Sequence, residues 1–471
     1  MDDLKNKYQT DIGSFFGNLF YPPLVCLLVL QGYFTGHEML YGAINIVIFS
    51  LSLWFVESAK HTLIFAVTFL YQISPGHAPT VPSKSTYFFE NGRPILIAVL
   101  ALLLITSFVA YVIRTEAYRE LSLKKCPLLW SMLGLAVVFV MNGVFSDKHT
   151  VADVLLGIGE TAAYFGFFLL FYFSFQKDAL KRIEGYFCYC AFWIAAVILI
   201  QLGDLYLNND IYRSDGAISA YYVQLGWGVS TVIGAALAVL IPMLLYGAMR
   251  SRFPIPYFVM AFCTLIGCFF SMSRMALGVG VLFFGISILI GCFAGDKKTM
   301  FQIASIVMLL IVIVILIGYY EKIYRLFAIY FEKGFSSTGR RLLWQKCVDD
   351  FLDHPLFGAG FFGLELGESV SHFAHNTIFQ MLGACGTAGI IAYLVYRIET
   401  VFLFCKNATL FKTMLGLSAA TLVVASLLDV FLFSFFPMIY HSALLALASV
   451  INREEKTERA IRSLYYPYLK L

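Results

Sequence analysis

The chain alternates long apolar runs with short polar ones, and only one polar stretch is long. A membrane-crossing helix needs about 20 apolar residues, and by that rule about fourteen runs qualify. They are residues 14–34, 39–57, 60–75, 94–114, 127–145, 152–176, 186–206, 226–247, 254–272, 275–294, 300–320, 376–396, 410–430 and 434–450. Pro22-Pro23 is expected to kink the first, because proline removes a backbone donor and clashes with the preceding turn. The long interruption runs from Ser336 to Gln380. Inside it Leu343, Trp344, Cys347, Val348, Phe351 and Leu352 recur at helical spacing, which predicts a helix lying on the membrane surface. Ser336, Ser337 and Thr338 offer hydroxyls for its N-cap. His354-Pro355 ends it, since a residue before proline is pushed out of the helical region.

Composition turns this pattern into a class. With 60% hydrophobic and 13% charged residues and a mean hydropathy of +0.80, the 471 residues read as an all-α polytopic membrane protein rather than a few soluble domains. The expectation is about 12–14 transmembrane helices with one long extracytoplasmic loop carrying short helices. That divides the chain into a transmembrane region over 1–320, a loop over 321–375, C-terminal transmembrane helices over 376–450 and a tail over 451–471. The N-terminal stretch from Met1 to Gln9 mixes Asp2 and Asp3 with Lys5 and Lys7, and no small-residue cleavage site follows, so the first helix is expected to stay as a span.

A net charge of +4 fits the excess of cytoplasmic Lys and Arg better than a nucleic-acid surface. With the N-terminus inside, every cytoplasmic segment carries a base, among them Lys60, Lys124, Lys125, Lys297, Lys298 and Arg397. Both termini then lie inside and the long loop outside. Lys322, Arg325, Lys333, Arg340, Arg341 and Lys346 crowd that loop, on the side where orientation does not need them. An anionic ligand accounts for them. The ten cysteines are scattered, nearly all in apolar runs; only Cys347 falls in the long loop, so no external disulfide framework is expected.

The candidate chemistry sits in and around this loop. Arg340 and Arg341 stand in a first helical turn, where the dipole favours anions, so they either hold an anion with the backbone N–H groups or snorkel to lipid phosphates. Gly358-Ala359-Gly360 reads as a turn. His372 and His375 share a helical face; a metal site lacks further ligands, while a histidine base suits working pH, and a cap on the next span is the plain alternative for His375. Arg213 and Arg274 lie in other outward connections, and Glu160 and Asp429 could pair with the arginines or line the same cavity.

In order, SMSRMALGVGVLFF, TGRRLLWQKCVDDFLDHPLFGAGFFG and HFAHNTIFQMLGACGTAGIIAYL resemble the bacterial O-antigen ligase and O-antigen polymerase superfamily. The shared features are S-R at a helix start, G-R-x-x-x-W, H-P-L-x-G-x-G, and H-N before a glycine-broken span. Arg213-x-x-Gly216 is a fainter match, and the Pro-Asn pair that often follows it is absent. The resemblance implies a GT-C-like helical fold and inverting glycosyl transfer without metal or other cofactor, on the outer face of the cytoplasmic membrane. Its donor would be a glycan on undecaprenyl diphosphate and its acceptor another glycan, with a flippase and a chain-length regulator as partners beside the lipid bilayer, and no nucleic acid. Carried over by position, His375 would be the base and Arg274, Arg340, Arg341 and Arg213 would hold the diphosphate. His372, Asn376 and Glu160 would support them. A polysaccharide polymerase is the leading reading. The alternatives are ligase-type transfer to a different acceptor and a lipid-linked oligosaccharide flippase, which would place charges inside the spans; these read as nearly uncharged.

Overall fold

The computed structural model describes residues 19–73, 93–120, 126, 128–145, 151–175, 180–208, 223–318, 320–321, 324, 338–360, 365–366, 369–370, 374–431 and 435–465. It is a helical bundle. In order come α1 (Tyr21–Thr35), α2 (Glu38–Ser52), α3 (Thr62–Ile73), α4 (Arg93–Arg114), α5 (Leu128–Phe145), α6 (Val151–Thr161) and α7 (Phe167–Phe175). They are followed by α8 (Leu180–Leu207), α9 (Ser230–Arg250), α10 (Pro254–Phe270), α11 (Arg274–Ala294) and α12 (Lys298–Gly318). The last are α13 (Thr338–Asp353), α14 (Thr377–Cys405), α15 (Leu410–Ala425) and α16 (Phe435–Tyr465). A π-helical turn, Ala162–Gly166, joins α6 to α7. The only strands among the described residues are two short antiparallel pairs, Gln224–Leu225 with Gly228–Val229 and Glu365–Leu366 with Ser369–Val370.

Among the described residues seven helices are long and apolar enough to cross a membrane, and five shorter apolar helices accompany them, so the chain is an all-α polytopic membrane protein. The bundle is built around α9, which is buried along nearly its whole length by α8, α10, α11 and α15. At the other extreme α4 shows most of its apolar side chains outward, the arrangement of a helix facing lipid.

Helix ends follow the sequence in most places. Ser273, Asn376 and Thr409 each cap the helix that follows by accepting a backbone N–H. The prolines differ from the expectation. Pro22 and Pro23 fall in the first turn of α1, where a missing N–H costs least, directly after the π-helical Leu19 and Phe20.

A second difference concerns Arg397. The expectation put it in a cytoplasmic loop, but α14 continues to Cys405 and carries Arg397 within the bundle. Its guanidinium lies 4.7 Å from the ring centre of Tyr393 and 4.9 Å from that of Tyr396. Nη1 donates to Nε2 of the buried His441 on α16 at 3.2 Å, because arginine cannot accept. Nε and Nη2 find no hydrogen-bond partner among the described residues, and the same holds for Glu160 Oε2 on α6. The span interiors are therefore less neutral than the sequence pattern suggested.

Candidate active site

The site forms where α14 breaks. Gly386 has φ +61° and ψ −156°, which only glycine adopts readily, so α14 is two helices set end to end. A break inside a membrane needs outside partners for the freed backbone groups. The turn after α13, His354 to Gly360, supplies them. Ala359 N–H donates to Gly383 O at 2.9 Å and Gly360 N–H to Ala384 O at 3.2 Å, while Pro355 O and Leu356 O accept from the Thr387 and Ala388 N–H groups at 2.9 and 3.1 Å. From the other side Asn142 of α5 donates its side-chain amide to Phe357 O and Ala384 O. Gly358 and Gly360, with φ +73° and +98°, let the turn bend onto the helix. The Gly-Ala-Gly turn thus completes the backbone hydrogen bonding at the break in α14.

α13 lies against the first half of α14. Its Leu343, Cys347 and Asp350 are buried, and Gly383 leaves room for the approach: a Cβ there would stand 2.9 Å from Cys347 Cα. Asp350 is paired with Lys346; burial pushes its pKa above the usual carboxylate value despite that partner. Trp344 stacks on Phe379 with ring centres 5.1 Å apart and donates its indole N–H to Ala374 O at 2.9 Å.

The next residue is His375, in the left-handed region with φ +51°. Its Nδ1 lies 3.0 Å from Asp429 Oδ1, beyond the end of α15. The imidazole is 43% exposed and the carboxylate 13%. Burial alone would raise the Asp429 pKa. The His375 hydrogen bond and charge, the Val430 N–H and the Thr231 hydroxyl outweigh it and hold the pKa below the usual carboxylate value. An ionised Asp429 can only accept, so the proton of this bond is carried by His375 Nδ1.

Asn376 is the N-cap of α14: its Oδ1 accepts from Ile378 and Phe379 N–H, and its amide donates to Leu427 O at 2.7 Å. Together with the Thr377 N–H to Ser426 O bond, this ties the start of α14 to the turn that carries Asp429. Arg340, half-buried, stands one turn before Trp344 on the same face of α13, and Arg341 beside it is exposed. Arg274 opens α11 and is exposed, and its neighbour Met275 packs with Val232, Ala425 and Phe431. Arg274, Arg340, His375 and Asp429 thus gather at one end of the bundle. Glu160 lies inside the bundle near Cys385, just past Ala384 where the turn docks. Arg213 and His372 fall outside the described residues, as do Ser336 and Ser337, which were expected to cap α13, while Thr338 is the first residue of that helix.

Asp429 is the residue whose role the sequence left open. It pairs with histidine, not with an arginine, and 54 positions separate the partners, so no local pattern announces the pair.

No curated protein matches the chain. Residues 259–394 match the family model described as O-antigen ligase. That segment holds Arg274, Arg340, Trp344, the His354–Gly360 turn and His375, while Asp429 lies beyond it. The likeness to the O-antigen ligase family thus covers less than a third of the chain, in its C-terminal half.

Proposed function

We propose that the protein is a polysaccharide polymerase that moves a glycan from undecaprenyl diphosphate to a hydroxyl of an acceptor glycan. Transfer would occur without metal and with inversion, on the extracytoplasmic face of the cytoplasmic membrane. The family match carries the coarser part of this reading, an O-antigen ligase or polymerase type of enzyme in a membrane. The observation that carries the mechanism is the His375–Asp429 pair at the end of the bundle where Arg274 and Arg340 stand.

In this mechanism Asp429 holds the imidazole through Nδ1–H, and Nε2 takes the proton from the acceptor hydroxyl. The oxygen attacks the anomeric carbon as the bond from that carbon to the diphosphate oxygen breaks. The leaving diphosphate gains negative charge, and Arg340 and Arg274, with Arg341 and Arg213 in support, stabilise it without reorganising. The released polyprenyl diphosphate and the elongated glycan account for every atom, and the proton stays on His375 until solvent takes it. A flippase and a chain-length regulator belong to this proposal as partners. Ligase-type transfer uses the same steps with a different acceptor, so only the product separates the two.

One observation favours the rival reading of a lipid-linked oligosaccharide flippase: Arg397 and Glu160 are ionisable side chains within the bundle, and such groups often mark a transport path. A single assay separates the readings. Purified protein in nanodiscs is incubated with undecaprenyl-diphosphate oligosaccharide and EDTA, beside His375→Ala. A ladder of longer lipid-linked chains that disappears in the variant supports the polymerase; transfer only to an added acceptor supports a ligase. No turnover of any lipid-linked donor, with flipping in liposomes, supports transport.

A further inference from the structure

We infer that Gln380 and Trp344 are positioning residues for His375, clamping the Ala374 peptide from two sides and so fixing the left-handed backbone on which the imidazole stands. The inference rests on the proposed role of His375 as base. The Ala374 N–H donates to Gln380 Oε1 at 2.7 Å, and Ala374 O accepts the Trp344 indole N–H at 2.9 Å. Ala374 is fully buried and Gln380 is 1% exposed, so water does not compete for either bond. On the other side of His375, Asn376 is fixed as the N-cap of α14 and bonded to Leu427 O. The chain is therefore held on both flanks of His375, and the φ of +51° is what joins the two fixed flanks.

A non-glycine residue persists in that region only where its surroundings over-determine it. The imidazole, 43% exposed, adds a single tie of its own, the Nδ1 bond to Asp429. A relaxed φ would swing the Cα–Cβ vector and draw Nδ1 away from Asp429 Oδ1. The clamp has a second consequence. Trp344 is one helical turn from Arg340 on the same face, so the bond that sets His375 also sets its spacing from the guanidinium.

Three variants isolate the clamp. Trp344→Phe keeps an aromatic ring against Phe379 and removes the donor. Gln380→Met keeps the length and removes the acceptor. Gln380→Glu keeps an acceptor. The first two are expected to lower kcat about 10- to 100-fold with KM for the lipid-linked donor unchanged, as small misplacements of a reacting group do. Gln380→Glu is expected to recover most of the rate. A thermal cycle reads the same clamp without any turnover. His375→Gly relieves the strain only while the clamp imposes it, so its effect on Tm should be about 2 °C more favourable in the wild type than in Gln380→Met. Equal shifts in both backgrounds would overturn the clamp, as would a Gln380→Met enzyme with unchanged kcat. If the wild type transfers no glycan, the proposed function fails while the thermal cycle still decides whether the clamp exists.

Discussion

Gly386 and Gly358 meet backbone to backbone: a Cβ added to Gly386 would stand 2.7 Å from the Gly358 nitrogen and equally close to the Leu356 carbonyl. Both residues have positive φ, so a side chain at either is strained as well as obstructed. Gly386→Ala and Gly358→Ala are each expected to lose about 2 kcal/mol or more, the range of overpacking with added strain. Thermal unfolding followed by size-exclusion chromatography checks this. Ala at Gly134, which has open space and ordinary φ, is the control.

Asp429→Asn is expected to lower transfer about 100-fold or more while the protein stays folded, because the amide cannot hold the charged imidazole that forms in the reaction. Steady-state turnover of a lipid-linked donor is the measurement. Wild-type turnover in the variant would remove Asp429 from the mechanism.

The same carboxylate gives a pH dependence of stability. Its pKa is lowered in the folded chain, so its contribution is complete above the ordinary carboxylate value and is lost as pH falls through the lowered one. The Tm gap between wild type and Asp429→Asn should shrink as pH falls below about 4. A gap that grew on acidification would contradict the assignment.

Arg340 and Arg341 should differ. Arg340 is half-buried on the face that carries Trp344, and Arg341 is exposed. Arg340→Ala is expected to raise KM for the donor about 10- to 100-fold, the worth of one charge-assisted hydrogen bond, with a smaller effect at Arg341. Arg340→Lys should recover part of the loss, since lysine keeps the charge but not the fork. Titration of donor against initial rate settles the order.

Arg397→Met tests the charge inside the bundle. Two ring contacts and one bond to His441 stabilise the guanidinium, and its desolvation opposes them. The Tm is expected to stay within about 2 °C of the wild type. Unchanged transfer alongside unchanged stability would mark Arg397 as packing, and flipping lost in a stable variant would mark it as part of a path.

Much of the site was legible in the sequence because its parts are local. The helix ending at His354-Pro355, the Gly-Ala-Gly turn and the glycines of α14 are read within a few residues of one another. Asn376 itself was taken for a supporting group at the site, and its place as a cap shows how one side chain can suit either reading. What the sequence did not reveal depends on chain folding back across the bundle. Asp429 reaches His375 from another helix, and Asn142 reaches the turn from α5. Arg397 was misplaced because a 29-residue helix exceeds the roughly 20 residues that a span requires, so a length rule ends it early. Pro22 and Pro23 stand in the first turn of α1, nearer its start than the apolar run 14–34 placed them.

The broken α14 has a consequence for how the protein is made. Its carbonyl and amide groups at the break are completed by residues 355–360, which the ribosome delivers earlier and which belong to the polar loop. The helix can form as a hydrophobic segment, but its native break is completed only once that turn has folded back onto it. Assembly of this end of the bundle therefore depends on both segments, and a tag or protease site placed between His354 and Gly360 is expected to disturb folding before any question of catalysis arises.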